Sequence, residues 1–230
     1  MKIALLGAES SGKTLLSLAL GDALRTRGSV VTVVPEVLRE WCDNAGRTPQ
    51  AHEQIGIARA QAERVDAAER DLLARPDVAE ASVVIADTTP LMIAVYSDML
   101  FDDRSLYDFA LEHQRSYGAT LLMGLDLPWV ADGLQRDGPH VREPVDALVR
   151  KALERGGVSY QLVYGSGLAR LTNALMALHN SAAGPQLMQH LNLPQRPDSE
   201  TAQYRRWTCD KCSDAACEHR LFQDLQDTNG

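Results

Sequence analysis

The sequence predicts an α/β protein: a mostly parallel sheet with helices on both faces, opened by a phosphate-binding loop, plus a small Cys/His-bearing C-terminal appendage. Three observations predict it. Short β-branched and leucine-rich runs alternate with longer helical patterns, and such alternation builds parallel sheets covered by crossover helices. The first apolar run, Ile3-Ala4-Leu5-Leu6, leads directly into Gly7-Ala8-Glu9-Ser10-Ser11-Gly12-Lys13-Thr14. That is a G-x-x-x-x-G-K-T loop in its confirming context of strand, loop and helix. After residue 180 the pattern gives way to Ser181-Ala182-Ala183-Gly184-Pro185, a linker composition. The chain therefore divides into a domain over 1–180 and an extension over 181–230.

Each element follows from its residues. The run 3–6 is a buried strand and not a signal peptide, because it breaks at Gly7 and continues into Glu9. In the loop behind it, Gly7 and Gly12 permit a tight turn whose backbone N–H groups, including those of Glu9, Ser10 and Ser11, face one anion. Lys13 reaches the β/γ-phosphates and the Thr14 hydroxyl ligates Mg²⁺, while the helix opening at Lys13 adds the positive end of its dipole. Helix 14–27 places Leu16, Leu20, Ala23 and Leu24 on one face. Strand 30–34 ends in Pro35-Glu36, with Arg39 one helical turn on. A long Ala/Glu/Arg-rich helix spans 50–75. Strand 83–86 ends in Asp87-Thr88-Thr89, and strand 120–125 ends in Asp126. Helix 145–155, strand 160–163 and helix 168–179 complete the domain. Ligands of open parallel sheets bind beyond the carboxyl ends of the strands, so Glu36, Asp87 and Asp126 converge on the rim where a triphosphate sits.

These rim residues carry the candidate chemistry. Asp87 stands where an acidic residue holds Mg²⁺ at the end of a hydrophobic strand; it, Thr88 or Thr89 equally suits a helix N-cap before Pro90. Glu36 can face an acceptor hydroxyl in line with the γ-phosphate and take its proton as general base, with Arg39 clamping the substrate. The same two residues also suit an ordinary surface pair at helical spacing. Residues 126–143 read as a mobile lid whose Arg136 and Arg142 close over the phosphates, or as a solvated polar loop. Trp129, Tyr96, Trp41 and Tyr107 lie near the site loops and suit either ring stacking or core packing. His52, His113 and His140 are isolated and read as surface residues, and Cys42 as a small buried hydrophobe.

Composition narrows the partners. A net charge of −8 without any Lys/Arg-rich block disfavours a nucleic-acid surface. No apolar stretch approaches the ~20 residues of a membrane helix, so the expected setting is the cytoplasm, where cysteines stay reduced unless a metal holds them. In the extension, Cys209, Cys212, Cys217 and His219 form Cys-x₂-Cys-x₄-Cys-x-His. Four soft ligands in this spacing suit a structural Zn²⁺ that folds a segment too small for a core; the alternatives are a disulfide pair or free thiols.

Together, Gly-Ala-Glu-Ser-Ser-Gly-Lys-Thr, Pro35-Glu36-x-x-Arg39-Glu40, Ile85-Ala86-Asp87-Thr88 and Pro128-Trp129-Val130-x-Asp132-Gly133 resemble the nicotinamide-riboside kinase domain of the bacterial NAD-salvage regulator proteins. The resemblance runs over residues 1–165. It implies a fold like that of small deoxynucleoside kinases and ATP·Mg²⁺-dependent phosphorylation of a ribosyl 5′-hydroxyl. It also implies that Glu36 or Asp87 serves the hydroxyl and Mg²⁺, and that Arg39 and Asp132 sit near the substrate or lid. The family's Asp-Gly-x-Arg is altered here, since Arg136 comes one position later, after Gln135. The expectation is a kinase moving the γ-phosphoryl group of ATP to a nucleoside-like acceptor. The rival is an ATP-dependent switch whose output is a conformational change read by a protein partner.

Overall fold

A computed structural model describes residues 1–75, 82–131, 138–181 and 184. Expectations that fall on Asp132, Arg136, Cys209, Cys212, Cys217 and His219 lie outside the described residues.

Five strands form one parallel sheet: β1 (Lys2–Leu6), β2 (Val30–Val34), β3 (Ser82–Asp87), β4 (Ala119–Met123) and β5 (Gln161–Val163), in spatial order β2-β3-β1-β4-β5. Among the described residues seven α-helices connect and cover them: α1 (Lys13–Arg25), α2 (Val37–Ala45), α3 (Ala51–Leu73), α4 (Pro90–Phe101), α5 (Tyr107–Gln114), α6 (Arg142–Gly156) and α7 (Gly167–His179). No helix among the described residues is long and apolar enough to cross a membrane.

β1 is central and entirely buried. Because successive side chains of a strand alternate faces, Ala4 and Leu6 enter clusters built with α3, α4, α5 and α6, while Ile3 and Leu5 fall on the opposite face. Helices α1 and α7 pack on each other, α1 against β1–β3 and α7 against β4 and β5. On the first face, α4 is buried through Leu91, Met92, Ile93, Ala94 and Val95. Each large apolar side chain removed from water in this way contributes about 1.5–3 kcal/mol. Thr89 caps α4, its side chain accepting the Leu91 N–H, and Pro90 occupies the first turn. The cap is thus Thr89, which leaves Asp87 free of that task.

Two expectations are corrected by the fold. Residues 139–143, placed above in a loop, are helical: a 3-10 turn, Pro139–Val141, runs into α6. His113, read as a surface residue, belongs to a polar cluster under the N-terminal edge of the sheet. Its Nε2 lies 3.2 Å from Asp66 Oδ1, and Lys2 Nζ reaches Asp66 Oδ1 at 3.1 Å and Glu69 Oε2 at 2.9 Å. His113 also stands edge-on to Tyr117, with ring centroids 5.4 Å apart.

Burial lowers the His113 pKa from its ordinary 6.5, against the opposing charge of Asp66. Burial alone would raise Asp66, but hydrogen bonds and charge from Lys2 and His113 bring it below 3.8. Both groups bind protons more weakly folded than unfolded. Their stabilisation is therefore present above the unfolded pKa and lost as pH falls through the folded one. Acidification should lower the melting temperature first below pH 6.5, then again below pH 3.8. Thermal melts at pH 7 and 5 check this: the first loss should shrink in His113→Gln, and an unchanged loss would remove His113 as its source.

Candidate active site

The phosphate loop leaves the C-terminal end of β1 under tight restraint. Gly7 has φ +146°, and a Cβ there would lie 2.9 Å from the Met123 Cβ, so the residue is confined to glycine. Gly12 turns left-handed, φ 79°, as the N-cap of α1. The Lys13 ammonium donates to the carbonyls of Gly7 at 2.8 Å and Ala8 at 3.0 Å, which holds it over the loop. A phosphate seated on the α1 N-terminus can take over those donors, and it meets the helix dipole with the sign that favours an anion.

Side chains and backbone of the loop tie it to three other segments. Glu9, 6 % exposed, accepts from the Trp129 indole N–H at 2.8 Å and from the Gly138 N–H at 3.0 Å. The Ser10 hydroxyl accepts the Val130 N–H at 2.7 Å. From the far side Arg170, on α7, donates to the Ser11 carbonyl at 2.6 Å, the Gly165 carbonyl at 2.7 Å and Asp126 Oδ1 at 3.2 Å. Asp126 in turn accepts the Gly165 N–H at 2.5 Å. One guanidinium thus joins the phosphate loop, the exit of β4 and the turn after β5.

Beside the loop lies a cavity of about 1140 Å³. The phosphate loop from Glu9 through Thr14 lines one side, Glu36 and Arg39 stand on another, and Gln54, Thr88, Met92 and Tyr96 form part of the rest. Glu36 is the N-cap residue of α2. Its position is fixed from α3, because Gln61 accepts the Val37 N–H at 2.8 Å and donates to the Pro35 carbonyl at 3.4 Å. Arg39 Nε lies 3.9 Å from Glu36 Oε2, a loose pair that leaves both groups on the cavity wall.

The remaining expected residues separate. Asp87 is 3 % exposed, pairs in register with Leu5 at the root of the loop, and its Oδ1 has no hydrogen-bond partner among the described residues. A buried carboxylate oxygen left open beside a phosphate loop fits a hydrated divalent cation held by Thr14 and Asp87. The described residues contain no group of three His, Cys, Asp or Glu side chains able to hold a metal on their own, so nucleotide oxygens and water would complete the shell. Tyr96 and Cys42 line the cavity, whereas Trp129, Trp41 and Tyr107 do not. Trp129 instead faces Glu9, Trp41 lies under the Arg47 guanidinium at 4.9 Å, and the Tyr107 hydroxyl donates to Asp98 at 3.0 Å. Arg142 is also away from the cavity. Its guanidinium donates to the carbonyls of Leu127 at 2.8 Å and Leu125 at 3.3 Å, so it braces the chain leaving β4. Burial pushes its pKa down from the ordinary arginine value.

Sequence reasoning missed Gln54, Thr88 and Arg170. The α3 pattern held a weak signal for the first, a glutamine on the buried stripe. Arg170 had none, being 159 residues from the carbonyl it holds.

Comparison with known proteins agrees with this architecture. The family model described as AAA domain matches residues 2–170. No curated protein matches the sequence. Among solved structures, a NadR protein in complex with NAD and AMP-PNP superposes with a TM-score of 0.60 at 13 % identity, over 85 % of this chain and 51 % of that one. A NadR protein in complex with NR gives 0.60 at 12 %, over 85 % and 51 %. Deoxyadenosine kinase from M. mycoides gives 0.50 at 14 %, over 78 % and 99 %. The chain spans about half the length of the NadR structures it matches. At these identities the likeness is one of fold.

Proposed function

Because the chain belongs to the AAA domain family over residues 2–170, with a P-loop fold, we propose that it is an ATP-dependent kinase for a small nucleoside-like acceptor, with nicotinamide riboside the leading candidate. One observation carries the reading: Glu36 and the triphosphate-binding residues Lys13 and Thr14 line one cavity, in which Gln54, Met92 and Tyr96 add a mixed polar and apolar wall. The Glu36 carboxylate on that wall can receive the proton of a hydroxyl seated beside the phosphates. The NadR complexes, one with NAD and AMP-PNP and one with NR, support the choice of acceptor.

In this reading Lys13 and the loop N–H groups hold the β- and γ-phosphates. Glu36 takes the proton of the acceptor hydroxyl as its oxygen bonds to the γ-phosphorus. The bond from that phosphorus to the β,γ-bridging oxygen breaks, and ADP leaves with the electron pair. Mg²⁺, when bound at Thr14 and Asp87, neutralises charge that develops on the phosphates. Arg39 orients the acceptor, Trp129 steadies the phosphate loop through Glu9, and the family resemblance assigns Asp132 to the substrate or lid, with Arg136 proposed for charge on the transferring group. The bracing contacts of Arg142 assign it to shaping the loop that bears them.

The test is ADP release by the full chain across a panel of nucleosides that includes nicotinamide riboside. Release that depends on an acceptor is the expected result; hydrolysis indifferent to every acceptor would favour the switch. We further propose that residues 1–180 are the kinase domain and 181–230 an extension, in which Cys209, Cys212, Cys217 and His219 hold one structural Zn²⁺. Protein purified without chelator should then carry about one zinc per chain, lost in Cys212→Ser; a content near zero would discard the site.

A further inference from the structure

Thr88 is built against its own backbone preference. Its φ is +84°, and it is the one β-branched residue among the non-glycine residues with positive φ in the described chain. That region is strained for a branched side chain. The cause is local. The Thr88 N–H donates to the Leu5 carbonyl at 3.2 Å, extending the sheet, while the very next residue, Thr89, already caps α4 and is fixed by donating to Gln114 at 2.7 Å. One residue must therefore turn the chain from strand to helix.

Glycine would make that turn without strain, so the side chain of Thr88 calls for a reason. Packing supplies part of one, since the residue is 1 % exposed. Its hydroxyl, however, has no hydrogen-bond partner among the described residues, and neither has the adjacent Asp87 Oδ1. A buried hydroxyl left open is destabilising, and Thr88 lines the cavity beside the phosphate loop. Strain, an open hydroxyl and an open carboxylate oxygen thus meet at one step of the chain.

We propose that Thr88 is a positioning residue of the nucleotide site: its hydroxyl and Asp87 Oδ1 hydrogen-bond the water shell of the divalent cation that accompanies the nucleotide. The inference rests on the reading of Thr14 and Asp87 as the cation site, but not on the identity of the acceptor. The strained turn sets the hydroxyl where a glycine would leave nothing.

Thr88→Val keeps the shape and removes the hydroxyl, and Thr88→Ser keeps the hydroxyl and removes the methyl. Calorimetry of the full chain would use AMP-PNP with Mn²⁺ and AMP-PNP with chelator. Thr88→Val should weaken binding of the manganese complex by about three- to tenfold, the value of one hydrogen bond, and leave metal-free binding unchanged. Thr88→Ser should bind the complex as the wild type does. Free of nucleotide, Thr88→Val should melt at or above the wild-type temperature, because it loses an open polar group. Equal affinity of wild type and Thr88→Val for the manganese complex would overturn the proposal. So would equal weakening with and without metal, or a lower melting temperature of the free valine variant, since either marks a structural role. Failure of every acceptor in the ADP-release panel would instead count against the kinase reading alone.

Discussion

Glu36→Gln is expected to lower turnover by roughly 10²–10⁴ while ATP·Mg²⁺ affinity stays near the wild-type value, the signature of a lost general base. The glutamine preserves size, and the start of α2 is fixed by Gln61 independently of the Glu36 side chain. The ability to accept the acceptor's proton disappears, together with the long charge pair to Arg39, which is worth little. Asp87→Asn should behave differently, raising the Mg²⁺ concentration needed for half-maximal activity, because Asp87 is buried at the root of the loop with Oδ1 open. Steady-state rates across a magnesium titration separate the two. If Asp87→Asn abolishes turnover at unchanged magnesium dependence and Glu36→Gln remains active, the roles are exchanged.

The second large effect is expected at Arg170. Replacing it with methionine keeps the stem and removes a guanidinium that serves the carbonyls of Ser11 and Gly165 and the Asp126 carboxylate. Breaking a buried charge pair by removing one partner strands the other, at about 3 kcal/mol where the carboxylate keeps some contact with water. Urea unfolding should register that loss. Arg170→Lys should recover little of it, because an ammonium lacks the planar fork that spans three acceptors. ATP affinity should fall with the methionine change, since Ser11 belongs to the phosphate loop. A methionine variant with wild-type stability would show that these contacts contribute nothing net.

The fold was legible where its signals are local. All five strands could be read, because β-branched and leucine runs end in glycine, proline or carboxylates, and the phosphate loop is contiguous. The strand read as 120–125 is β4, Ala119–Met123. Leu125 continues the apolar run, yet it packs on the core from the connecting segment, and an apolar run alone does not separate those cases. Helix α4 carries no amphipathic stripe, since it is covered by α3, α5 and α6, so periodicity does not mark it beyond its Thr89-Pro90 start. At eight residues α5 is too short to show a pattern.

Within the site, Glu36 followed from the rule that strand ends carry function. Thr88 could not, because its meaning lies in a backbone angle. His113 looked isolated because its partner, Asp66, is 47 residues away.

The place of β1 in the sheet also bears on how the chain comes to fold. β1 lies between β3 (Ser82–Asp87) and β4 (Ala119–Met123), yet it emerges from the ribosome before either. Parallel pairing of this kind closes long stretches of chain and is intrinsically slow. Until β4 has been made, the apolar segment that carries the phosphate loop lacks one of its neighbours and is exposed to wrong association. Arg170, which clasps Ser11, arrives later still. The most locally written feature of the sequence is thus among the last to acquire its working shape.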